Sequence, residues 1–282
     1  MSSQQYHDLK VSIDKHVALI VISRPKAHNC FHTRMRDELI RAYGELEADS
    51  HVRVIILTGD PAGKCFCAGA DLSQTSFTTP AQGSNISEED FREDGGKVAL
   101  PILRSRKITI AAINGNAAGI GITMTLPMDL RFAWKDAKIV FPFLQRGIVP
   151  EATSTYQLPL LIGRSRAMAV LLQGTSFPAS SPLLDGLFTK ILDTKESVLP
   201  YALTVAHELS TNLSPTATAI MKSLVLNPKP TADEQHILES RAIFITTNGD
   251  GKEGVRSYLE KRPPQFGDYD TRSLPKWFKG KL

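Results

Sequence analysis

Two glycine-containing turns, each following a strand-like run, carry the clearest chemical signal in the sequence. The first is CFCAGADL (residues 65–72) after VRVIILT, and the second is NGNAAGIGITM (residues 114–124) after ITIAAI. Glycine allows tight turns, and a helix that begins near Gly119 has unpaired N–H groups at its positive end. Two such amides that converge on one oxygen form an oxyanion hole, which stabilises developing negative charge. Packing turns are the alternative interpretation, since the sequence does not show that the amides converge.

The second turn also has the glycine content of a dinucleotide-binding loop. Gly115, Gly119 and Gly121 are in the wrong order for that fingerprint, and no acidic residue lies about 20 positions further on at the end of the next strand. We therefore reject dinucleotide binding.

The elements that must position these turns alternate between strands and helices in the first part of the chain. Strand patterns cover residues 7–14, 16–23, 52–58 and 108–113, and helical patterns cover 33–48 and 117–126. After residue 195 the patterns are mostly helical, at 199–213, 216–226, 231–247 and 251–260. This order predicts an α/β core (residues 1–195) and a helical C-terminal region (residues 196–282). The polar residues 73–96 are predicted to form a mobile lid or to become ordered when ligand binds, because long loops without hydrophobic periodicity are often functional.

Composition excludes several classes of protein. The net charge of +4 over 282 residues and the scattered Lys and Arg argue against a nucleic-acid partner. Three cysteines without a spaced framework argue for a reducing compartment, and no Cys or His spacing predicts a metal site. No apolar run is long enough for a membrane span, and the polar start lacks a signal-peptide pattern. We expect a soluble intracellular protein.

Five ordered motifs resemble the enoyl-CoA hydratase/isomerase (crotonase) superfamily. They are RPKAHNCF (24–31), the two glycine turns, GIVPEATSTYQLP (147–159) and DGKEGVRSYLEKRPPQF (250–266), and the likeness extends from about residue 7 to about residue 265. The resemblance implies a crotonase-like spiral of ββα units with a helical C-terminal trimerisation region. It also implies a homotrimer or hexamer that binds an acyl-CoA substrate, with no further cofactor because coenzyme A is part of that substrate.

The resemblance also assigns site residues. The amides of Ala70 and Ile120 would form the oxyanion hole, whereas Asp71 and Asp129 match acids with structural roles. The residues that would contact the acyl-CoA are Lys26, Ala27, His28, Ala68, Gly69, Asp71, Leu72, Gly119 and Phe143.

The residues at the positions where family members carry catalytic glutamates predict which reaction this chain catalyses. Hydratases of the family use two glutamates, and this chain has Thr123 and Phe143 at those positions. Glu151, in GIVPEATST, resembles the single catalytic glutamate of peroxisomal Δ3,Δ2-enoyl-CoA isomerases, and apolar Ile148, Val149 and Phe143 are expected to raise its pKa. We therefore predict that Glu151 is the acid/base of a Δ3-to-Δ2 double-bond shift.

Other interpretations remain for the same residues. Pro150 and Glu151 are also a favourable start for a helix. A dienoyl-CoA isomerase, a hydratase-like enzyme and a non-catalytic CoA-binding protein are the alternative functions. Arg146 and Gln145 are candidate ligand contacts, and Tyr156 is predicted to be a core residue.

The C-terminal tripeptide Gly280-Lys281-Leu282 is similar to the Ser-Lys-Leu peroxisomal address but has Gly at its first position. We expect a peroxisomal location, with a cytoplasmic one as the alternative.

Overall fold

The computed structural model describes residues 6–73, residues 87–268 and residue 274. Its strands are β1 (Leu9–Asp14), β2 (Val17–Ile22), β3 (Val54–Gly59), β4 (Cys65–Cys67), β5 (Ile108–Ile113), β6 (Asn116–Ala118), β7 (Leu130–Trp134), β8 (Lys138–Val140), β9 (Ser176–Pro178) and β10 (Lys190–Leu192). Its α-helices are α1 (Thr33–Ala48), α2 (Asp94–Leu103), α3 (Ile120–Thr123), α4 (Ser154–Ile162), α5 (Arg164–Gln173), α6 (Val198–Asn212), α7 (Pro215–Leu226), α8 (Ala232–Asn248) and α9 (Gly251–Leu259).

The strands form two sheets. The larger has the order β1-β2-β3-β5-β7-β10, and the smaller has the order β4-β6-β8-β9. The chain passes from the larger to the smaller sheet three times in the same way, at β3–β4, β5–β6 and β7–β8, and a helix follows each pair. The neighbouring strands in these repeats are parallel, so corresponding turns lie side by side. The spiral of ββα units expected from the sequence is therefore present.

The larger sheet is covered on both faces, as a parallel sheet requires. One face packs against α1, α2 and the smaller sheet, with Leu39, Ile55 and Phe66 among its buried residues. The other face packs against α6, where Ala202 and Ala206 contact the cluster that contains Ile56. Burial on both faces explains why 54–59 and 108–113 are continuous apolar runs.

Two sequence predictions about local structure are wrong. Residues 117–126 do not form one helix, because β6 occupies 116–118 and α3 is a single turn. Tyr156 is not a core residue, since its side chain is 64% exposed on α4. The helical C-terminal region is confirmed, whereas the boundary at residues 195/196 stays a prediction. Within the described residues, no helix has the length and apolarity needed to cross a bilayer.

Candidate active site

The two glycine turns meet at one end of the smaller sheet. Strands β4 and β6, which lead into them, are parallel neighbours with Cys67 opposite Ala117. Gly69 and Gly119 have φ angles of 99° and 52°, which side chains other than glycine rarely adopt. A Cβ atom added to Gly69 would lie 2.9 Å from the carbonyl oxygen of Ala118, and one added to Gly119 would lie 4.0 Å from the Cα of Gly69. The turns therefore touch backbone to backbone, which the sequence did not show.

The amides of Ala70 and Ile120 are available at this junction. Gly69 accepts a hydrogen bond from Phe31 (2.8 Å), and Asp71 donates one back to Phe31 (2.8 Å), so the N–H of Ala70 points the opposite way. Ile120 is the first residue of α3, where helical N–H groups lack an intrahelical acceptor. Among the hydrogen bonds of the described residues, neither amide has an acceptor. Because α3 has only four residues, the two N–H groups rather than a helix dipole supply the positive charge.

Ala70 and Ile120 both line a pocket of about 650 Å³, within the usual range for a small-molecule site. The pocket is lined by nine of the residues predicted from the sequence, namely Ala68, Gly69, Ala70, Asp71, Leu72, Gly119, Ile120, Phe143 and Glu151. Lys26, Ala27 and His28 do not line it. They form a short turn beside it, where the carbonyl of His28 accepts a hydrogen bond from Ala68 (3.2 Å). Their contact with coenzyme A stays a prediction.

Glu151 is largely enclosed, but its carboxyl group borders the pocket. Burial raises its pKa, the hydroxyl of Thr123 at 2.6 Å opposes this rise, and the nearby Glu93 reinforces it, so that the pKa reaches about 8. Helix α4 begins only at Ser154, and Ala152 and Thr153 before it have positive φ angles. Glu151 is therefore not a first-turn helix residue, and that alternative interpretation is wrong.

Glu93 is a second glutamate at the pocket, and it was not identified from the sequence. Its side chain caps α2 by accepting a hydrogen bond from the N–H of Gly96 (2.7 Å), and it accepts another from Ala152 (3.0 Å). Through Ala152, this carboxyl group is held beside Glu151, and it contributes to the raised pKa of Glu151. Glu93 and Glu151 are thus the two glutamates among the four acidic residues that line the pocket, the others being Asp71 and Asp94.

Glycine is required where α2 approaches Glu151. A Cβ atom on Gly95 would overlap Oε2 of Glu151 and would lie 2.7 Å from its Cδ and 2.9 Å from Cδ1 of Ile120. A glycine pair in the first turn of a helix is unfavourable by up to about 1 kcal/mol per residue. The sequence EDGG at 93–96 was the available signal for Glu93, since such a pair indicates close approach by another group.

Residues without a carboxyl group, Thr123 and Phe143, occupy the two positions where hydratases of the family carry acids. Phe143 is 5% exposed and lines the pocket, and Thr123 binds Glu151 and the carbonyl of Gly119 (3.2 Å). Ile148 also lines the pocket, whereas Val149 is 76% exposed and does not, so its predicted contribution to the pKa of Glu151 is wrong. Arg146 lies at the pocket, but Gln145 instead donates to the carbonyl of Gln173 (2.9 Å).

The two acids expected to have structural roles, Asp71 and Asp129, both form ion pairs. Asp71 pairs with Arg24 at 3.1 Å, and Asp129 pairs with the buried Lys222 at 2.7 Å. Cationic side chains at the pocket are Arg36, Arg92, Lys97 and Arg146. In the described ranges, no cluster of three or more His, Cys, Asp and Glu side chains is arranged to hold a metal ion.

Comparison with known proteins agrees with this geometry. A family model described as enoyl-CoA hydratase/isomerase matches residues 12–269. The chain is 40% identical to enoyl-CoA hydratase AFT3-1 of Alternaria alternata, over 95% of this chain and 89% of that one. It is 32% identical to the 1,2-epoxyphenylacetyl-CoA isomerase of Escherichia coli, over 90% and 96% of the two chains. The crystal structure of a probable enoyl-CoA hydratase/isomerase from Mycobacterium abscessus has a TM-score of 0.83 at 32% identity and covers 93% of this chain and 99% of that one. The match over most of the chain, together with the paired glycine turns, leads to one conclusion: this chain belongs to the enoyl-CoA hydratase/isomerase (crotonase) family.

Proposed function

We propose that this enzyme shifts the double bond of an enoyl-CoA from the Δ3 to the Δ2 position. The observation that carries the proposal is the carboxyl group of Glu151, with its raised pKa, in the pocket that the amides of Ala70 and Ile120 border. A base is most effective when its pKa is near the working pH. Cationic side chains at the pocket suit the phosphates of coenzyme A, which is part of the substrate, so the reaction needs no separate cofactor.

In the proposed reaction, the thioester oxygen accepts hydrogen bonds from the amides of Ala70 and Ile120. Glu151 removes a proton from C2, and the negative charge that spreads to the oxygen is stabilised there. Glu151 then returns the proton to C4, which leaves the double bond conjugated with the carbonyl. Buried Phe143 beside the reacting carbons keeps water out, which favours proton return over addition of water.

Hydration of a 2-enoyl-CoA is the second candidate function. The presence of Glu93 as a second carboxyl group favours it, as do the hydratase names of several relatives. Hydration requires two carboxyl groups that hold a water molecule between them. The oxygens of Glu93 instead accept hydrogen bonds from the N–H groups of Gly96 and Ala152, and Phe143 stands at one of the two hydratase acid positions, which supports isomerisation.

An activity panel distinguishes the two functions. Purified enzyme is given 3-enoyl-, 2-enoyl- and 3,5-dienoyl-CoA thioesters while absorbance of the conjugated thioester is followed. We expect the absorbance to rise with the 3-enoyl substrate and to fall only at a trace rate with the 2-enoyl substrate. Glu151→Gln should reduce isomerisation by about 10²-fold or more, while Glu89→Gln, on an exposed residue, should change nothing. Efficient hydration by the unmodified enzyme would contradict the proposal.

We also propose that the chain forms a trimer or hexamer. Large apolar side chains are exposed on its helices, including Leu160, Leu172, Val225 and Phe244, and packing them against a second copy would remove their apolar surface from water. Light scattering of the purified protein tests this, and a monomer at micromolar concentration would contradict it. The proposed peroxisomal address at residues 280–282 lies outside the described residues, and deletion of this tripeptide from a fluorescent fusion tests it.

A further inference from the structure

The side chain of Glu93 joins the start of α2 to the loop that carries Glu151. One carboxyl oxygen accepts a hydrogen bond from the N–H of Gly96 (2.7 Å), in the first turn of α2. The other accepts one from the N–H of Ala152 (3.0 Å), the residue that follows Glu151. A carboxylate can accept both bonds because each of its oxygens is an acceptor. The two bonds together fix the position of the loop relative to α2.

Capping of α2 does not by itself require a glutamate. The preferred N-cap residues are Ser, Thr, Asp and Asn, whose short side chains reach the N–H groups of the first turn. In the part of the chain that the structure describes, the other N-cap side chains that accept such a bond follow this preference and belong to Ser181, Ser214 and Thr231. Glu93 has a longer side chain, and its second oxygen reaches Ala152.

The loop after Glu151 needs a hold of this kind because its backbone is unfavourable. Ala152 and Thr153 are consecutive and have φ angles of 55° and 59°, in the left-handed region that is strained for residues with a side chain. Such strain persists only where neighbouring groups fix the backbone. The bond from Ala152 to Glu93 is one such contact. Without it, we expect the loop to relax towards negative φ and to carry Glu151 away from its present position.

The carboxyl group of Glu151 fits its surroundings only from this backbone position. Its Oε1 lies 2.6 Å from the hydroxyl of Thr123, and its Oε2 occupies the space above Gly95 that a Cβ atom would fill. A shift of the loop would therefore lose the hydrogen bond with Thr123 and move the carboxyl group relative to the amide of Ile120.

We propose that Glu93 is a positioning residue for the isomerisation, which holds Glu151 in its reactive place by binding the N–H of Ala152. The inference rests on the proposed function and adds a residue to it. Glu93 acts through the backbone of the loop and not on the substrate. Its two hydrogen bonds and the left-handed backbone of residues 152 and 153 carry the inference.

Glu93→Asp separates positioning from capping. Aspartate is a preferred N-cap residue, so α2 should stay capped. The aspartate side chain is shorter by one C–C bond of about 1.5 Å, so it should no longer reach Ala152. We expect kcat for a 3-enoyl-CoA to fall by about 10²-fold while KM and the urea midpoint of unfolding change little. A wild-type kcat in this variant would overturn the inference.

Glycine at position 152 supplies a measurement that a merely structural role of Glu93 would not affect. Glycine adopts positive φ without strain, so the loop should depend less on Glu93. On the Ala152→Gly background, the loss of kcat caused by Glu93→Asp should be about 10-fold smaller than on the wild-type background. The same loss on both backgrounds would overturn the inference.

Lys15→Gly is the matched control for this double-mutant cycle. Lys15 also has a positive φ angle, of 52°, but lies in the turn between β1 and β2 and does not line the pocket. Glycine there relieves the same kind of strain away from the site. On this background the full loss caused by Glu93→Asp should remain, and a reduced loss would overturn the inference by showing that the effect is one of general stability.

A second variant is used if Glu93→Asp does not fold. Glu93→Gln enters the same cycle, because an amide group has one acceptor oxygen and cannot accept both N–H groups. Amide hydrogen exchange of the wild-type enzyme adds a measurement that needs no variant. The N–H of Ala152 should exchange slowly because it is hydrogen-bonded, and rapid exchange would overturn the inference.

The two proposals fail separately. If wild type does not isomerise 3-enoyl-CoA, the proposed function is wrong. If wild type isomerises this substrate while Glu93→Asp keeps the wild-type kcat, only the role of Glu93 is wrong.

Discussion

Replacement of Gly95 by alanine should strongly reduce turnover although no titratable residue is replaced. The added Cβ would overlap Oε2 of Glu151 and would lie 2.7 Å from its Cδ. Carbon atoms in contact are normally about 3.5–4.0 Å apart, so the carboxyl group must retreat by about 1 Å. That movement breaks its 2.6 Å hydrogen bond with Thr123. A misplacement of about 1 Å lowers turnover by about 10²-fold.

The effect should appear in kcat and leave KM for the acyl-CoA nearly unchanged, because Gly95 lies beside the carboxyl group that is proposed to react. Overpacking should also lower the free energy of unfolding by about 1–3 kcal/mol. The assay is the absorbance of the conjugated product at several substrate concentrations, together with urea unfolding of the same sample.

Gly44→Ala is the matched control. Gly44 lies in α1 with no atom within 4 Å of an added Cβ, so this change should raise the free energy of unfolding by about 0.5–1 kcal/mol and keep wild-type kcat. A wild-type kcat in Gly95→Ala would refute the reasoning, since it would show that Glu151 does not react from the observed position.

Three further predictions concern stability and backbone geometry. The pKa of Glu151 is raised from 4.5 to about 8, so its contribution to stability is complete below about pH 4.5 and is lost as the pH rises through about 8. The Tm of Glu151→Gln relative to wild type should therefore increase from about pH 6 to about pH 9, and a constant difference would contradict the raised pKa. Arg131 is 4% exposed and donates to the carbonyls of Leu187, Thr125, Leu126 and Met128. Arg131→Met should lower the free energy of unfolding by about 3 kcal/mol or more in urea titration, and a loss below about 1 kcal/mol would show that water replaces these bonds. A Cβ on Gly121 would overlap the carbonyl oxygen of Cys67; Gly121→Ala should separate the amides of Ala70 and Ile120 and reduce kcat by about 10²-fold, and wild-type kcat would argue against an oxyanion hole there.

The parts of the site that were predictable are those encoded locally. β-Branched runs followed by glycine identified β3, β5 and the two turns after them, because strand propensity and glycine's freedom at positive φ act over a few residues. Contact between the turns was not encoded locally, since it depends on the parallel pairing of β4 with β6.

Glu93 was not predictable by the same means. Glu93 accepts a hydrogen bond from Ala152, in the loop that carries Glu151, and these two residues are 59 positions apart in the sequence. Its surroundings are polar, so hydrophobic periodicity gave no indication that this glutamate faces inward. The prediction that Tyr156 is buried was wrong for a different reason. A large aromatic residue in a helix is usually buried, but Tyr156 lies on the outer face of α4 and is exposed.

The contact between Gly69 and Gly119 has a consequence for the evolution of this kind of enzyme. The groups proposed to bind the thioester oxygen are peptide N–H groups, which every residue except proline carries. Most substitutions at Ala70 or Ile120 therefore leave the oxygen-binding donors intact, while the acids opposite them can be exchanged one at a time. Catalytic acids can thus be substituted during evolution while the proposed binding of the thioester oxygen is kept. Gly69 and Gly119 are the residues that this arrangement of the backbone requires.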